Sequence, residues 1–464
     1  MELRDYQTKA IEELRDGYRS GIRSQLLVMP TGSGKTVLFS AMTASAAARG
    51  NRTWVVAHRS ELVDQISACL VQFHVEHAVV ASGTPRGVEW APAPTHVCMV
   101  QTLLRRMESM QAPNFIIVDE AHHAVGTSGW KKIIDAYPSA RILGVTATPE
   151  RLSGEGLGET FDAMVEGPTT RELIAAGHLS GYRLFAPPTT LDLRGVRQMG
   201  GDYSRKQLEE RLAKSTIVGD AISHYVKHAA GKRAISFCVT VAHAQATAAA
   251  FRARGIASES IDGAMDAPER RAILDRFRRG VTMVLTSCEL VSEGFDLPAV
   301  EAALLLRPTQ SLALYLQQIG RALRPMQGKT SAIILDHAGN SLKHGLPDDE
   351  RAWSLEGWAA KRGKNATGEY PVRTCAVCYG VMPASATICS SCGAKLPVQE
   401  RKIEVVSAEL VEAQREQQRI EAKQARRDQG RTHTMEELIA LGRSRGYAHP
   451  AAWAWHVFNS RKRA

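Results

Sequence analysis

The stretch MPTGSGKT, at residues 29–36, decides the fold, and it directly follows the apolar run SQLLV at 24–28. Glycines in such a loop let backbone N–H groups approach a phosphate closely, and a helix that begins at Lys35 adds the positive end of its dipole. The lysine would reach the β- and γ-phosphates of a nucleotide, and the hydroxyl group of Thr36 would hold Mg²⁺. Met29 departs from the usual pattern, because such a loop ordinarily has its first glycine there. The other loop residues that would bind phosphate are Thr31, Gly32, Ser33 and Gly34.

A pair of carboxylates supplies the second half of a nucleotide site. The apolar run FIIV at 115–118 is followed by Asp119 and Glu120. At the end of a buried strand Asp119 is placed to take Mg²⁺, and Glu120 could orient and deprotonate an attacking water molecule. The alternative, two surface carboxylates after a strand, is disfavoured by the phosphate loop upstream.

Short apolar runs that alternate with helical stretches predict parallel sheets covered on both faces. One set of runs lies in the first third of the chain, and a second set follows a passage rich in glycine and proline at 151–170. The predicted fold class is therefore α/β, with two parallel-sheet domains in tandem and a hinge around 150–185. The strand candidates are 24–30, 52–58, 95–101, 114–120, 141–147, 233–239, 281–287, 301–307 and 331–337.

Motifs that follow one another along residues 1–340 resemble those of the superfamily 2 helicases, of the DEAD/DEAH type. They are LRDYQ (3–7), MPTGSGKT (29–36), VVAHRSEL (55–62), VDEAHH (118–123), TATP (146–149), SEGFDLP (292–298) and QQIGRALRP (317–325). The resemblance implies two RecA-like domains with ATP between them and ATP-driven movement along a nucleic acid. Within the family, the stretches at 304–325 and 333–340 are similar to the bacterial RadD-type repair helicases and to phage-encoded DNA helicases.

The resemblance also assigns roles around the nucleotide. Gln7 would pair with the edge of the adenine, and Arg4 and Tyr6 would flank the base. Thr146 and Thr148 would couple the nucleotide site to domain movement. The second domain would contribute Gln317, Arg321 and Arg324 as catalytic residues, and Gly294 and Asp296 as nucleotide contacts. Arginines that reach the γ-phosphate in this way can be worth about 10³–10⁵ in rate in related phosphoryl-transfer systems.

The formal charge of +10 and the pI of about 9.2 favour a polyanionic partner, most often nucleic acid, over a basic surface that only aids solubility. The resemblance places a strand across both domains, held through its phosphates, so binding would be salt-sensitive and nearly independent of sequence. It favours DNA over RNA. Trp130, in a loop expected to be flexible, would either stack on a base or pack against the domain. The other candidate contacts, each of which could instead be an ordinary polar residue, are His58, Arg59, Gln101, Thr102 and Thr286.

Four of the eight cysteines form two CxxC pairs, Cys375 with Cys378 and Cys389 with Cys392. Each pair can aim two sulfurs at one point, and four thiolates complete a tetrahedral Zn²⁺ shell with no open position. The spacing therefore predicts a structural zinc module, with an iron–sulfur cluster as the alternative. The module would grip nucleic acid beside the motor or, as the rival interpretation, dock a protein. The other cysteines are scattered among apolar neighbours, which suits buried free thiols in a reducing cytoplasm.

The predicted domains are 1–165 and 166–360 for the two RecA-like units, 371–396 for the zinc module and 397–464 for a helical tail. In the tail, a charged helical stretch precedes a helical hairpin that starts at Thr434 and Glu437 with a capping box. The sequence has no apolar run long enough for a membrane span and no secretory signal pattern, so a cytoplasmic protein without a membrane partner is expected.

Taken together, the sequence predicts an ATP-dependent nucleic-acid translocase, foremost a DNA helicase of repair, recombination or phage replication, with a single-strand-binding or recombination protein as a possible partner. Three alternatives stay open: a DNA-stimulated ATPase that remodels protein–DNA complexes without unwinding, the motor subunit of a restriction system, and an RNA helicase.

Overall fold

The computed structural model describes residues 2–90, 92–149, 156–186, 193, 195–199, 202–212, 217–288, 300–356, 372–397, 432, 434–446 and 450–463. The chain divides into two compact units, residues 1–396 and 397–464. The first unit contains two large parallel sheets and the cysteine module.

The first domain is built on a parallel sheet of seven described strands in the order β3-β4-β2-β5-β6-β1-β7. Apolar side chains cover both faces of this sheet. Val28, which ends β1, lies beside Thr146, which ends β6, so the phosphate loop and the TATP motif leave the sheet at the same edge. The elements are α1 (Asp5–Arg19), β1 (Ser24–Val28), α2 (Lys35–Ala47), β2 (Thr53–Ala57), α3 (Ser60–Gln72), β3 (His77–Val80), β4 (Thr95–Met99), α4 (Val100–Arg106), β5 (Phe115–Asp119), α5 (Gly129–Ala136), β6 (Arg141–Thr146) and β7 (Ala163–Glu166).

The second domain repeats this plan with six described strands, all parallel, in the order β12-β13-β11-β14-β15-β8. Its two faces are again buried under helices. The elements are α6 (Thr170–Ala175), β8 (Tyr182–Phe185), β9 (Gln198–Met199), β10 (Asp202–Tyr203), α7 (Arg205–Leu212), α8 (Ile217–Ala229), β11 (Ala234–Phe237), α9 (Val241–Ala253), β12 (Ser258–Ile261), α10 (Ala267–Arg278), β13 (Val284–Ser287), β14 (Ala302–Leu305), α11 (Leu312–Leu323), β15 (Ala332–Asp336) and α12 (Asn340–His344). The prediction of two parallel-sheet domains in tandem is confirmed.

The cysteine module lies against the exposed edge of the second sheet. Its short antiparallel strands are β16 (Val372–Thr374) and β17 (Val381–Pro383). The backbone N–H of Ala186 donates to the carbonyl of Tyr379 at 2.9 Å, and Phe185 in β8 pairs with Gly380. The module therefore continues the sheet beyond its last strand.

The second unit contains a helical hairpin of α13 (Met435–Ser444) and α14 (Pro450–Arg463). Thr434 and Glu437 form the predicted capping box at its start. The charged stretch before it, at 404–430, lies outside the described residues.

Candidate functional site

The phosphate loop connects β1 to α2, and its backbone requires glycine at two positions. Gly32 and Gly34 have φ angles of 87° and 83°, in the left-handed region that glycine adopts at little cost. Lys35, the first residue of α2, donates from Nζ to the carbonyls of Met29 at 3.1 Å and Pro30 at 3.2 Å. Burial lowers the pKa of Lys35, and the carboxylates of Glu120 and Asp119 oppose that shift. The loop therefore places the partly buried side chain of Lys35 close to two carboxylates and beside the expected phosphate position.

Met29 fits this loop because its side chain points away from the phosphate position. It is fully buried in the core of the first domain. Its Cγ atom would lie only 2.5 Å from a Cβ atom added at Gly167. A glycine after β7 thus provides the room that the missing glycine of the loop would otherwise have provided.

The carboxylate pair sits at the end of β5, across from the loop. Burial, together with the neighbouring Glu120, raises the pKa of Asp119 to about 6, while Lys35 opposes the shift. Glu120 has a φ angle of 50°, and its backbone N–H donates to Oδ1 of Asp119 at 3.0 Å. Carboxylate and hydroxyl oxygens are ligands that Mg²⁺ prefers, so Asp119 and Thr36 form a suitable donor set.

Glu120 is connected to both domains. Nε2 of Gln317, on α11 of the second domain, donates to Oε1 of Glu120 at 3.4 Å. Nδ1 of His122 lies 3.3 Å from Oε2 of Glu120 and 3.1 Å from Oγ1 of Thr146. Sequence reasoning gave His122 no role, although its place in the VDEAHH motif was an available signal. Thr146 in turn donates to the carbonyl of Thr148 at 3.0 Å.

Helix α11 packs directly on the phosphate loop. A Cβ atom added at Gly320 would lie 2.6 Å from Cβ of Thr31, so only glycine allows this approach. Arg321 is buried, and the charges of Arg324 and Arg321 both act to lower the pKa of Lys35. The two predicted arginines are therefore close to the predicted phosphate site. Gly294 and Asp296 lie outside the described residues.

The residues predicted to bind adenine line the other side of the loop. The amide of Gln7 is buried and donates to the carbonyls of Gly34 at 3.1 Å and Ser33 at 3.4 Å. The hydroxyl group of Tyr6 donates to the carbonyl of Ser33 at 2.7 Å and accepts from Arg4 at 2.8 Å. These three side chains thus support the loop as well as border it.

The residues predicted to contact a nucleic-acid strand divide into an accessible group and a buried group. Arg59 lines a cavity of about 420 Å³ between the two domains, whose other lining includes Arg205, Thr240 and Gly263. Gln101 and Thr102, in α4, are exposed and partly exposed, and His58 is partly exposed. These residues are accessible to a ligand, as the prediction requires.

Two of the predicted contacts are not accessible. Trp130 lies in α5, not in a flexible loop, and is only 6% exposed within the apolar core of the first domain. Packing against the domain, one of the two expectations for this residue, is what the structure has. Thr286 in β13 is fully buried and donates to the carbonyl of Ala244 at 2.8 Å. Both side chains are therefore directed into the interior of the protein in this structure.

The four cysteines of the module converge. All four sulfurs lie within 4.8 Å of one another, with Cys375 3.8 Å from Cys392 and Cys378 3.6 Å from Cys389. A tetrahedron with metal–sulfur bonds of about 2.3 Å has edges of about 3.8 Å, which these distances match. Backbone N–H groups, led by that of Cys378, lower the pKa of Cys375 to about 7. The residues therefore fit a single tetrahedral ion, whereas a multi-iron cluster would place several atoms between the thiolates.

Comparison with known proteins gives a consistent picture. A family described as "Type III restriction enzyme, res subunit" matches residues 1–151, and "Helicase conserved C-terminal domain" matches residues 214–326. A "51.5 kDa protein" of Lactococcus phage (isolate 7-9) is 35% identical over 81% of this chain and 79% of its own length. The "Putative ATP-dependent helicase IRC3" of Saccharomyces cerevisiae is 29% identical over 73% of this chain and 52% of its own length.

Among solved structures, "The fragment structure of a putative HsdR subunit of a type I restriction enzyme from Vibrio vulnificus YJ016" has a TM-score of 0.58 at 20% identity. That match covers 74% of this chain and 65% of the other, and it shows the fold. The chain thus spans most of the phage protein but about half of the yeast relative. Among the described helices, none combines the length and apolar character needed to cross a bilayer.

Proposed function

We propose that this chain, which belongs to the superfamily 2 helicases, is an ATP-dependent motor that moves along DNA. The observation that carries the proposal is the bond from Gln317 to Glu120, since it joins the second domain to the carboxylate that would activate water. When the domains close, the same movement would therefore complete the site of ATP hydrolysis.

The chain's own residues have distinct tasks in this cycle. Lys35 binds the β- and γ-phosphates, and Arg321 and Arg324 neutralise the charge that develops on the transferred phosphoryl group. Glu120 holds the attacking water and takes its proton, with Gln317 and His122 fixing the carboxylate. Mg²⁺, held by Thr36 and Asp119, would supply further neutralisation of phosphate charge. Loss of the γ-phosphate removes one of the contacts that favour the closed arrangement, so hydrolysis favours release of the domains.

The DNA track would cross the cavity between the domains. Arg59 from the first domain and Arg205 from the second line it, so a backbone phosphate would meet positive charge from both sides. A DNA partner is also supported by the restriction-enzyme family that matches residues 1–151, because restriction enzymes cut DNA. The finer similarity to RadD-type repair helicases, and a role in repair with a single-strand-binding or recombination protein, remain predictions.

We further propose that the module at 371–396 holds a structural Zn²⁺ through Cys375, Cys378, Cys389 and Cys392. Four thiolates at tetrahedral separation support this, and a segment of this size cannot build a core without such a staple. The motor domains would be residues 1–165 and 166–360, and the tail residues 397–464. The four cysteines outside the module are free thiols, as in a reducing compartment such as the cytoplasm.

Steady-state ATP hydrolysis tests the proposal, measured without nucleic acid and with single-stranded DNA, duplex, a fork and RNA. We expect stimulation by DNA, and Lys35→Ala should abolish turnover while the thermal unfolding midpoint is retained. Unchanged turnover in Lys35→Ala would refute the site. Strong stimulation by RNA but not by DNA would instead establish an RNA motor.

Unwinding of the fork, followed in parallel, separates the remaining alternatives. Strand separation would establish a helicase. DNA-stimulated hydrolysis without strand separation would indicate a remodelling ATPase or the motor of a restriction system, which the restriction-enzyme family match keeps as the second candidate.

A further inference from the structure

Helix α11 ends between the two predicted arginines: Arg321 lies in its last turn, and Arg324 is the residue that follows the helix. Helix α11 ends at Leu323, Arg324 has φ −59° and ψ 131°, and the next residue, Pro325, has no N–H group. The last carbonyls of an α-helix have no partner inside the helix, so donors must come from elsewhere. The N–H of Ser180 reaches the carbonyl of Leu323 at 2.8 Å.

The hydroxyl group of Ser180 donates to the carbonyl of Arg324 at 3.4 Å, and Lys329 supplies further donors. Its Nζ atom donates to the carbonyl of Ala322, to that of Arg324 at 2.8 Å and to that of Val300 at 2.9 Å. A lysine ammonium group has three N–H donors and no acceptor, so only the charged form satisfies all three carbonyls. A cation at this end of the helix also interacts favourably with the helix dipole.

We infer that Lys329 is a positioning residue for ATP hydrolysis: its ammonium group ties the last turn of α11 to the chain at Val300 and thereby holds Arg321 and Arg324 against the phosphate loop. The inference rests on the proposed function, because it concerns the arginines of the same site. Lys329 itself does not touch the reacting atoms.

The charge of Lys329 is set by its surroundings. Burial lowers the pKa of Lys329 to about 8, while Glu301 raises it and Lys232 lowers it. Those two neighbours form an ion pair with each other, at 3.4 Å. Loss of the proton leaves two N–H groups and a lone pair facing three carbonyls, so one carbonyl loses its donor. The contribution of Lys329 to the turnover rate should therefore be full below about pH 8 and be lost as the pH rises through that value.

The test compares three variants by DNA-stimulated ATP hydrolysis at pH values on both sides of about 8. Lys329→Met keeps the apolar stem and removes the donors, and we expect kcat to fall about 10–100-fold with little change in KM. Lys329→Arg keeps a permanent charge, so it should retain much of kcat and lose the decline near pH 8. The matched control is Lys227→Met, on the exposed face of α8, which should behave as the wild type.

The results that would overturn this inference differ from those that would overturn the proposed function. If Lys329→Met is folded and its kcat and pH profile match the wild type, the inference is overturned, while loss of turnover in Lys35→Ala would keep the proposed function. If Lys35→Ala still hydrolyses ATP, the proposed function itself fails. If Lys329→Met does not fold, the pH profile of Lys329→Arg decides, because an unchanged decline near pH 8 contradicts a role for the ammonium group.

Discussion

At the residue scale, Gly167 should matter for both stability and ATP binding, because it gives Met29 of the phosphate loop its room. In Gly167→Ala the new methyl group would lie 2.5 Å from Cγ of Met29, which is fully buried and has little room to move. Overpacking of this kind costs about 1–3 kcal/mol. We expect the thermal unfolding midpoint to fall and KM for ATP to rise, because the displaced Met29 carries the first carbonyl that Lys35 contacts. Differential scanning fluorimetry and steady-state kinetics measure the two effects.

The same site offers a compensating change and a control. Met29→Gly removes the clashing side chain and restores the usual first glycine, so the double variant should recover KM relative to Gly167→Ala alone. Gly181→Ala is the control, since no atom lies within 4 Å of a Cβ atom added there. Equal effects of the two alanine substitutions would contradict the packing explanation.

The role of a residue could be predicted from the sequence where that role depends only on its neighbours along the chain. Lys35 and Thr36 follow from one loop, because the backbone of that loop would itself form the proposed phosphate site. The orientation of Trp130 and of Thr286 could not be predicted, because it depends on tertiary packing. All four residues of β13 are buried, so no alternation in polarity could indicate which way Thr286 points.

At the element scale, the nine predicted strands are present. The two large sheets also contain strands that the sequence did not predict, and each of these is at an edge of its sheet, as the described strands have it. These are β3 and β7 in the first sheet and β12 and β8 in the second. Edge strands have one neighbour and more solvent contact, so they lack the continuous apolar run by which the inner strands were recognised. The sequence SESI of β12, for example, has a single apolar residue. The docking of the cysteine module on β8 could not be predicted, because backbone pairing over that distance leaves no pattern in the sequence.

We expect the cysteine module to be separable from ATP hydrolysis and to protect the β8 edge of the second sheet. Cys378→Ser removes one ligand, so we expect metal content to fall and affinity for DNA to drop, while basal ATP hydrolysis survives because the nucleotide site lies elsewhere in the unit. Structural zinc contributes about 10–16 kcal/mol of apparent binding free energy in small modules, so the fold of the module should be lost with the metal. An uncovered β8 would then expose unpaired backbone groups and promote aggregation.

Metal analysis, DNA-binding assays and light scattering on purified full-length protein check this prediction. Val377→Ser is the control, because it changes an exposed residue that is not a ligand in the same CxxC turn. Loss of basal hydrolysis in Cys378→Ser would mean that the module belongs to the motor, contrary to the expectation.

At the scale of the whole molecule, residues 346–355 connect the cores of both domains. Leu346 is buried in the core of the second domain, whereas Trp353 and Leu355 pack against the core of the first. The N–H of Gly158, in the first domain, donates to the carbonyl of Leu355 at 2.9 Å. This connecting segment therefore favours the arrangement in which α11 meets the phosphate loop.

Trp353→Ala should weaken that arrangement while every predicted nucleotide-binding residue keeps its identity. Loss of part of the apolar contact costs about 1–2 kcal/mol, which is a factor of about 5–30 in the ratio of closed to open molecules. Because the competent fraction scales the apparent affinity, KM for ATP should rise, and small-angle scattering should give a larger radius of gyration. Trp90→Ala is the matched control, since Trp90 is 67% exposed and outside this contact. A Trp353→Ala protein with unchanged KM and radius would mean that α11 and the phosphate loop hold the domains together without the segment.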